Sequence, residues 1–130
     1  MPRSELLERM SRGPLLQLAL DLVDLDLALK LASQASEAGF DIIEVGTPLI
    51  KAHGAAAISR IKAVARGAIV MADTKTADAG GLEAEIVARA GADAMSVLAL
   101  SSEEVIQETI SRGRELGISV WVDMIHISDP

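Results

Sequence analysis

Short apolar runs and longer amphipathic stretches alternate along this chain. Five runs rich in Ile, Val, Leu, Ala and Met are each followed by a helical pattern or a polar turn. The runs are five to seven residues long, which is typical of β-strands that are buried on both faces. The predicted strands are Leu15–Asp21, Asp41–Val45, Ile69–Asp73, Ala94–Leu98 and Ser119–Asp123. Their starts recur about every 25 residues, which predicts repeats of one strand and one helix.

Cap and stop signals divide the stretches between the strands into four helices. Asp24 is a typical N-cap for the first of them, and Ser101 or Ser102 is suited to cap the last. The predicted helices cover residues 25–38, 48–66, 81–90 and 103–116. A glycine that can end the helix follows each one, at positions 39, 67, 91 and 117.

The first fourteen residues differ from the rest of the chain. They are polar and mixed in charge, and residues 4–10 fit a short helix that Gly13 and Pro14 would break. We expect residues 1–14 to form a polar leader arm outside the main fold. Residues 15–130 are expected to form part of a single domain.

Acidic residues at the ends of the strands decide between two architectures. Strand–helix repeats predict a parallel sheet with right-handed crossovers, either an open doubly wound sheet or a (β/α)8 barrel. Asp21, Glu44, Asp73 and Asp123 end different strands, and in a barrel these ends surround one mouth. An open sheet usually has a glycine-rich first loop, which residues 21–24 lack. We therefore predict an α/β fold of the TIM-barrel type.

The chain length allows only part of such a barrel. Eight repeats need about 200 residues, whereas this sequence has 130. Ser128 or Asp129 followed by Pro130 is typical of the start of another helix. We expect strands 1–5 and helices 1–4 of an incomplete barrel, whose edge strands would be open to association.

The exit of the third strand carries the densest set of candidate functional residues, in the pattern D-x-K-x-x-D. Asp73 and Lys75 are two positions apart, so an extended chain would direct both side chains to the same side. Asp78 comes after the chain has begun to turn and should point elsewhere. We interpret the pattern as a catalytic edge. The simpler alternative is a structural ion pair, but such a pair seldom lies beside several other strand-end acids.

Composition and charge limit the classes of function. Cysteine is absent, which excludes disulfides and thiolate chemistry. The net charge of −7 argues against a nucleic-acid partner. The apolar runs are too short to span a bilayer, and no secretory signal is recognisable, so we expect no membrane partner and a cytoplasmic location. Trp121, one of two aromatic residues, is expected to fill the barrel interior.

Four segments resemble 3-hexulose-6-phosphate synthase, which belongs to the orotidine 5′-monophosphate decarboxylase suprafamily of (β/α)8 barrels. They are LQLALD at 16–21, DIIEVGTPLIK at 41–51, ADTKTADAG at 72–80 and VDMI at 122–125. The D-x-K-x-x-D motif specifies only the suprafamily. The EVGTPLI segment narrows the resemblance to the synthase and its relative, 3-keto-L-gulonate 6-phosphate decarboxylase, which remains the alternative.

The resemblance implies an Mg2+-dependent aldol reaction in which formaldehyde and D-ribulose 5-phosphate form 3-hexulose 6-phosphate through an enediolate, or the reverse. It implies that Glu44 and Asp73 are the ligands of Mg2+, or of Mn2+ in its place. Lys75 would stabilise the developing oxyanion or carry a proton. Asp21 and Asp123 would orient substrate hydroxyls or assist proton transfer, although Asp21 also suits a helix N-cap.

Two further expectations follow from the resemblance. Asp78 would reach into the active site of a neighbouring subunit, which implies a homodimer with shared sites. The phosphate-binding loops of this family follow the last strands, so this chain alone is expected to be a barrel fragment with little or no activity.

His126 lies just past the fifth strand and suits either proton transfer or a surface loop.

Overall fold

The computed structural model describes residues 3–129, which fold into one parallel sheet covered by helices. The strands are β1 (Gln17–Leu20), β2 (Ile42–Val45), β3 (Ile69–Thr76), β4 (Ala94–Leu98) and β5 (Ser119–Asp123). The helices are α1 (Arg3–Arg12), α2 (Leu25–Glu37), α3 (Thr47–His53), α4 (Ala55–Val64), α5 (Gly80–Arg89) and α6 (Glu103–Leu116). The strands lie side by side in chain order and every neighbouring pair is parallel, as predicted.

The two faces of the sheet carry different sets of side chains because successive residues of a strand point in opposite directions. Ile43, Val45, Val70 and Met95 belong to the main core, which they form with buried residues of α2, α4 and α5. The opposite face carries a smaller apolar cluster at the beginning of the strands. Its buried members in the sheet are Ile42, Ile69, Met71 and Ala94, and Trp121 packs against them. The polar residues of the candidate site follow this cluster along the strands.

Helix α1 packs on the sheet, so the expectation of an arm outside the main fold is wrong for this segment. Leu6 is only 3% exposed and joins the smaller cluster beside Ile42 and Met71. Arg9 donates a hydrogen bond to Asp41 Oδ1 at 3.0 Å at the start of β2. The apolar face of the sheet would otherwise be exposed to water, and burying it against Leu6 is favourable.

The single helix predicted over 48–66 is two helices in the structure. Gly54 separates α3 from α4 with a φ of 66° and a ψ of −160°. Glycine adopts this conformation readily because it has no Cβ, and a helix cannot continue through it. The predicted caps of the other helices are confirmed, since Asp24 accepts a hydrogen bond from Leu27 N at 3.0 Å and Ser102 caps α6.

The strand bounds differ from the prediction at β3, which continues to Thr76, and at β1, which is shorter than the predicted Leu15–Asp21. β4 and β5 have the predicted bounds. The predicted helix start at Pro130 lies outside the described residues. Within residues 3–129, no helix combines the length and the apolar character needed to cross a membrane.

Candidate active site

A lysine ammonium lies between two carboxylates at the carboxyl ends of the strands. Lys75 Nζ donates to Asp73 Oδ2 at 2.9 Å and to Asp123 Oδ2 at 2.7 Å. Asp73 and Lys75 lie near the end of β3, and Asp123 is the last residue of β5. The carboxyl ends of parallel strands share one edge of the sheet, which brings these residues together. The structure therefore places three of the predicted site residues in one cluster.

Asp73 is the most deeply buried member of this cluster, with an exposed fraction of 6%. Its Oδ1 accepts hydrogen bonds from Ser96 Oγ at 2.8 Å and from Lys75 Nζ at 3.1 Å. Its Oδ2 accepts from Thr47 Oγ1 at 2.9 Å, in addition to Lys75. A buried carboxylate is tolerated when it is paired and hydrogen-bonded in this way. These bonds fix the orientation of the carboxylate.

The ion pairs shift the pKa values of Lys75 and Asp123 in opposite directions. The hydrogen bond to Asp123, followed by the contact with Asp73, holds the pKa of the Lys75 ammonium well above its usual range. The hydrogen bond from Lys75 lowers the pKa of Asp123, and the backbone N–H of Ile125 lowers it further. Both groups therefore stay charged at neutral pH in this arrangement.

Lys75 reaches this position through an irregular backbone and not through an extended one. The register of β3 against β4 shifts between Ala72 and Thr76, and Lys75 has a φ of 46°. The predicted proximity of Asp73 and Lys75 is observed, but its predicted cause is wrong. The side chains meet because the strand bulges at Lys75.

Glu44 and Asp21 extend the acidic cluster toward β1. Burial raises the pKa of Glu44, a hydrogen bond from Gln17 lowers it, and the negative charges of Asp73 and then Asp21 raise it further. Gln17 Nε2 contacts Glu44 Oε2 directly. Asp21 is exposed, and a Cβ on Gly46 would lie 2.3 Å from Asp21 Oδ1. Glycine at position 46 thus leaves room for the Asp21 carboxylate.

A small cavity of about 150 Å³ lies beside the Lys75 cluster. It is lined by Glu44, Met71, Asp73, Lys75, Ser96, Trp121, Val122 and Asp123. Trp121 therefore faces the interior side of the sheet, as predicted. A larger groove of about 390 Å³ lies at the beginning of β5, between α1 and α6, and its lining is mainly apolar. We place the candidate site at the smaller cavity because charged groups capable of acid–base and electrostatic chemistry converge there.

Asp78 is not part of this cluster. It is exposed, and its Oδ1 accepts a hydrogen bond from Ala79 N at 2.7 Å. Its role in a second subunit remains a prediction. His126 is exposed beyond β5 with a φ of 63°, and His53 Nε2 lies 2.7 Å from Val23 O in an exposed contact.

Three residues that contact the predicted acids were not predicted from the sequence. Gln17 contacts Glu44, Thr47 contacts Asp73, and Ser96 contacts both Asp73 and the Lys75 backbone. A polar side chain within an apolar strand is a signal that could have identified Gln17 and Ser96. Thr47 gives no such signal, because threonine is common at the start of a helix.

Comparison with known proteins shows the family of this chain. Residues 14–129 match the Orotidine 5'-phosphate decarboxylase / HUMPS family. The chain belongs to this family. The resemblance carried by the four sequence segments is thereby confirmed.

Within this family, the chain is 43% identical over 114 residues to the 3-hexulose-6-phosphate synthase of Mycobacterium gastri, covering 88% of this chain and 55% of that protein. It matches a crystal structure of 3-hexulose-6-phosphate synthase with a TM-score of 0.85 and 43% identity, over 89% of this chain and 56% of the other. It matches 3-keto-L-gulonate-6-phosphate decarboxylase from Vibrio cholerae with a TM-score of 0.80 and 32% identity, over 84% of this chain and 50% of the other.

The chain spans about half the length of each of these family members. Its five parallel strands and their helices therefore correspond to an incomplete barrel of the family, which confirms the predicted fold class. In a TIM barrel, the carboxyl ends of the strands carry the active site. The cluster around Lys75 lies at those ends.

Proposed function

We propose that the whole protein containing this chain is an aldehyde-lyase that joins formaldehyde and D-ribulose 5-phosphate into 3-hexulose 6-phosphate, or catalyses the reverse cleavage. The observation that carries the proposal is the Lys75 ammonium held between Asp73 and Asp123, with Glu44 lining the same cavity. The 43% identity to the Mycobacterium gastri synthase supports this choice of substrates.

The proposed reaction passes through a 1,2-enediolate. A carboxylate of the site, Asp21 or Asp123, accepts a proton from C1 of ribulose 5-phosphate, and the C–H electron pair leaves negative charge on the enediolate oxygens. C1 of the enediolate then forms a bond to the formaldehyde carbon, the π electrons of the aldehyde move to its oxygen, and that oxygen takes the proton back from the carboxylate. Lys75 stabilises the negative charge, because its ammonium remains protonated and is already oriented by two carboxylates. Preorganised positive charge of this kind lowers the barrier without reorganisation during the reaction.

Asp123 and Asp21 are proposed to bind substrate hydroxyls. Asp123 has a lowered pKa, so it is an ionised acceptor at neutral pH. Asp21 is exposed at the exit of β1, where it is free to meet a substrate from the solvent side. Both carboxylates would orient the sugar so that its C1 lies near Lys75.

Glu44 and Asp73 would hold a divalent cation, Mg2+ or Mn2+. Carboxylate oxygens suit such cations, and the negative charges that raise the pKa of Glu44 would be neutralised by one. In the described part of the chain, acidic and histidine side chains do not form a group of three or more suited to a metal ion. Water and substrate oxygens would therefore complete the coordination of the cation. One of the groups that donate a hydrogen bond to Asp73 would have to move away from it. When bound, the cation would supply positive charge to the enediolate.

We further propose a homodimer with shared active sites. Asp78 follows Lys75 by three positions, is exposed, and lies outside the cluster of its own chain. Its carboxylate would complete the site of the neighbouring subunit. The proposed small-molecule partners are a sugar phosphate and formaldehyde, and we keep the cytoplasm as the proposed location.

The second candidate is decarboxylation of 3-keto-L-gulonate 6-phosphate, a reaction that also forms an enediolate. The observation in its favour is the 32% identity and TM-score of 0.80 with the Vibrio cholerae decarboxylase. The same Lys75 cluster would stabilise the enediolate left when CO2 departs. The two candidates share the intermediate and differ in the bond that forms or breaks.

The test uses the whole protein with 13C-labelled formaldehyde and ribulose 5-phosphate, followed by NMR. Appearance of labelled 3-hexulose 6-phosphate, and its loss when a chelator removes divalent cations, is the expected result. A parallel reaction supplies 3-keto-L-gulonate 6-phosphate and measures released CO2. Release of CO2 without fixation of formaldehyde would overturn the synthase in favour of the decarboxylase.

A further inference from the structure

Ser96 lies opposite the interruption of the β3–β4 ladder. Before the interruption Ala72 is aligned with Met95, and after it Thr76 is aligned with Val97. Three residues of β3, at positions 73–75, therefore face the single residue Ser96 of β4. The irregular segment contains Asp73 and Lys75, so its geometry bears directly on the candidate site.

Ser96 makes a hydrogen bond to each of the three residues that face it. Its Oγ donates to Asp73 Oδ1 at 2.8 Å and accepts from Lys75 N at 2.9 Å. Its backbone carbonyl accepts from Thr74 Oγ1 at 2.7 Å. Ser96 is 2% exposed, so these bonds are shielded from water. One buried hydroxyl thus connects the lysine backbone to the carboxylate that the lysine ammonium contacts.

The Lys75 backbone needs such support because its φ of 46° is unfavourable for a residue with a side chain. The side-chain direction of a strand residue depends on local register, and a shift of one residue turns it to the other face. The bulge therefore decides whether the ammonium can reach Asp73 and Asp123. Without the Ser96 hydroxyl, the Lys75 N–H would lose this acceptor.

We propose that Ser96 is a positioning residue whose hydroxyl holds the Lys75 backbone and the Asp73 carboxylate so that the Lys75 ammonium lies between Asp73 and Asp123. The effect on turnover rests on the proposed function, whereas the effect on the Lys75 backbone does not. Ser96 acts through Lys75 and is not assigned a contact with substrate.

The kinetic test compares three variants of the whole protein in the formaldehyde assay. Ser96→Ala should lower kcat by about 10- to 100-fold, as is common for residues that orient an active-site group. KM should stay within about twofold, since ground-state contacts remain. Ser96→Thr keeps the hydroxyl and should recover most of kcat. Thr109→Val removes another buried hydroxyl, which bonds to Val105 O at 2.6 Å in α6, and should leave kcat unchanged.

A second readout requires no activity. Hydrogen exchange of the Lys75 amide, followed by NMR in metal-free buffer, should be about tenfold faster in Ser96→Ala and in Ser96→Cys, as expected after loss of one hydrogen bond. The cysteine variant nearly preserves the side-chain volume and serves if the alanine variant does not fold. The proposal would be overturned if the Lys75 amide exchanged at the wild-type rate in the variants. A wild-type kcat in Ser96→Ala would overturn it as well. A wild-type protein that fixes no formaldehyde would overturn the proposed function, and the exchange rates would still decide the role of Ser96.

Discussion

Substitution of Gly46 by alanine tests the packing that places Asp21 beside the site. Gly46 precedes α3 and is buried at the end of β2. An added Cβ would lie 2.3 Å from Asp21 Oδ1 and 2.6 Å from Leu20 O. Real Cβ contacts are not this short, so the structure must move. The Asp21 side chain can rotate away, but the Leu20 carbonyl belongs to the β1 backbone and can move only with its strand.

The expected loss of stability depends on the Leu20 carbonyl, because a backbone group cannot rotate away from the added Cβ as a side chain can. Overpacking that forces backbone shifts costs about 1–3 kcal/mol, so we expect Gly46→Ala to lower the free energy of unfolding by ~2 kcal/mol. Gly81→Ala is the matched control. The Cβ at position 81 would lie 2.6 Å from Glu108 Oε1, which is the far end of a flexible side chain. Gly81→Ala should therefore be neutral or stabilising by roughly 0.5 kcal/mol.

Guanidinium-induced unfolding of both variants measures these values, with the m-value expected to stay constant. The formaldehyde assay should show a lower kcat/KM for Gly46→Ala, because Asp21 must leave its position, and a wild-type value for Gly81→Ala. Equal stability of the two variants would refute the reasoning. So would a Gly46→Ala protein with wild-type activity.

Two other predictions concern the acids of the site. In metal-free buffer at neutral pH, Glu44→Gln should increase the free energy of unfolding, because the raised pKa of Glu44 means that the native state disfavours its ionised form. The gain should vanish as the pH falls below 4.5, the ordinary pKa of this group, and a stability difference that does not change with pH would contradict the prediction. For the shared site, Asp78→Ala and Lys75→Ala should each lose about 99% of the activity or more. An equal mixture after subunit exchange should recover about one quarter of the wild-type activity, since half of the dimers then hold one complete site. A mixture that stays inactive would contradict a site shared between subunits.

The repeating strands and helices could be predicted because hydrophobic pattern and stop signals act locally. Helix α6, for example, has Ser102 as its cap and Gly117 at its end, and both are visible in the sequence. The break at Gly54 was missed because an apolar pattern continues across it. The packing of Leu6 was missed because it depends on an apolar surface formed by residues far away in the chain.

The candidate site could be predicted in its composition but not in its geometry. Charged residues at apolar strand ends were sufficient to identify Asp73, Lys75 and Asp123. The bulge at Lys75 was not predictable, because it is a feature of the register between β3 and β4, and the Ser96 that contacts it lies 21 residues away in the chain. The pKa shifts of Glu44 and Asp123 also depend on neighbours that are close only in the folded chain. The hydrogen bond from Lys75 lowers the pKa of Asp123. Burial and the nearby carboxylates raise the pKa of Glu44 by more than Gln17 and Lys75 lower it.

The most direct test of the account is the rate of carbon–carbon bond formation after removal of the Lys75 ammonium. In the whole protein, Lys75→Ala should lower kcat for formaldehyde addition by about 10²- to 10³-fold or more, the usual effect of losing a group that stabilises an oxyanion. Lys51→Ala, which removes an exposed lysine of α3, should retain the wild-type rate. A folded Lys75→Ala protein that adds formaldehyde to ribulose 5-phosphate at the wild-type rate would contradict the central claim.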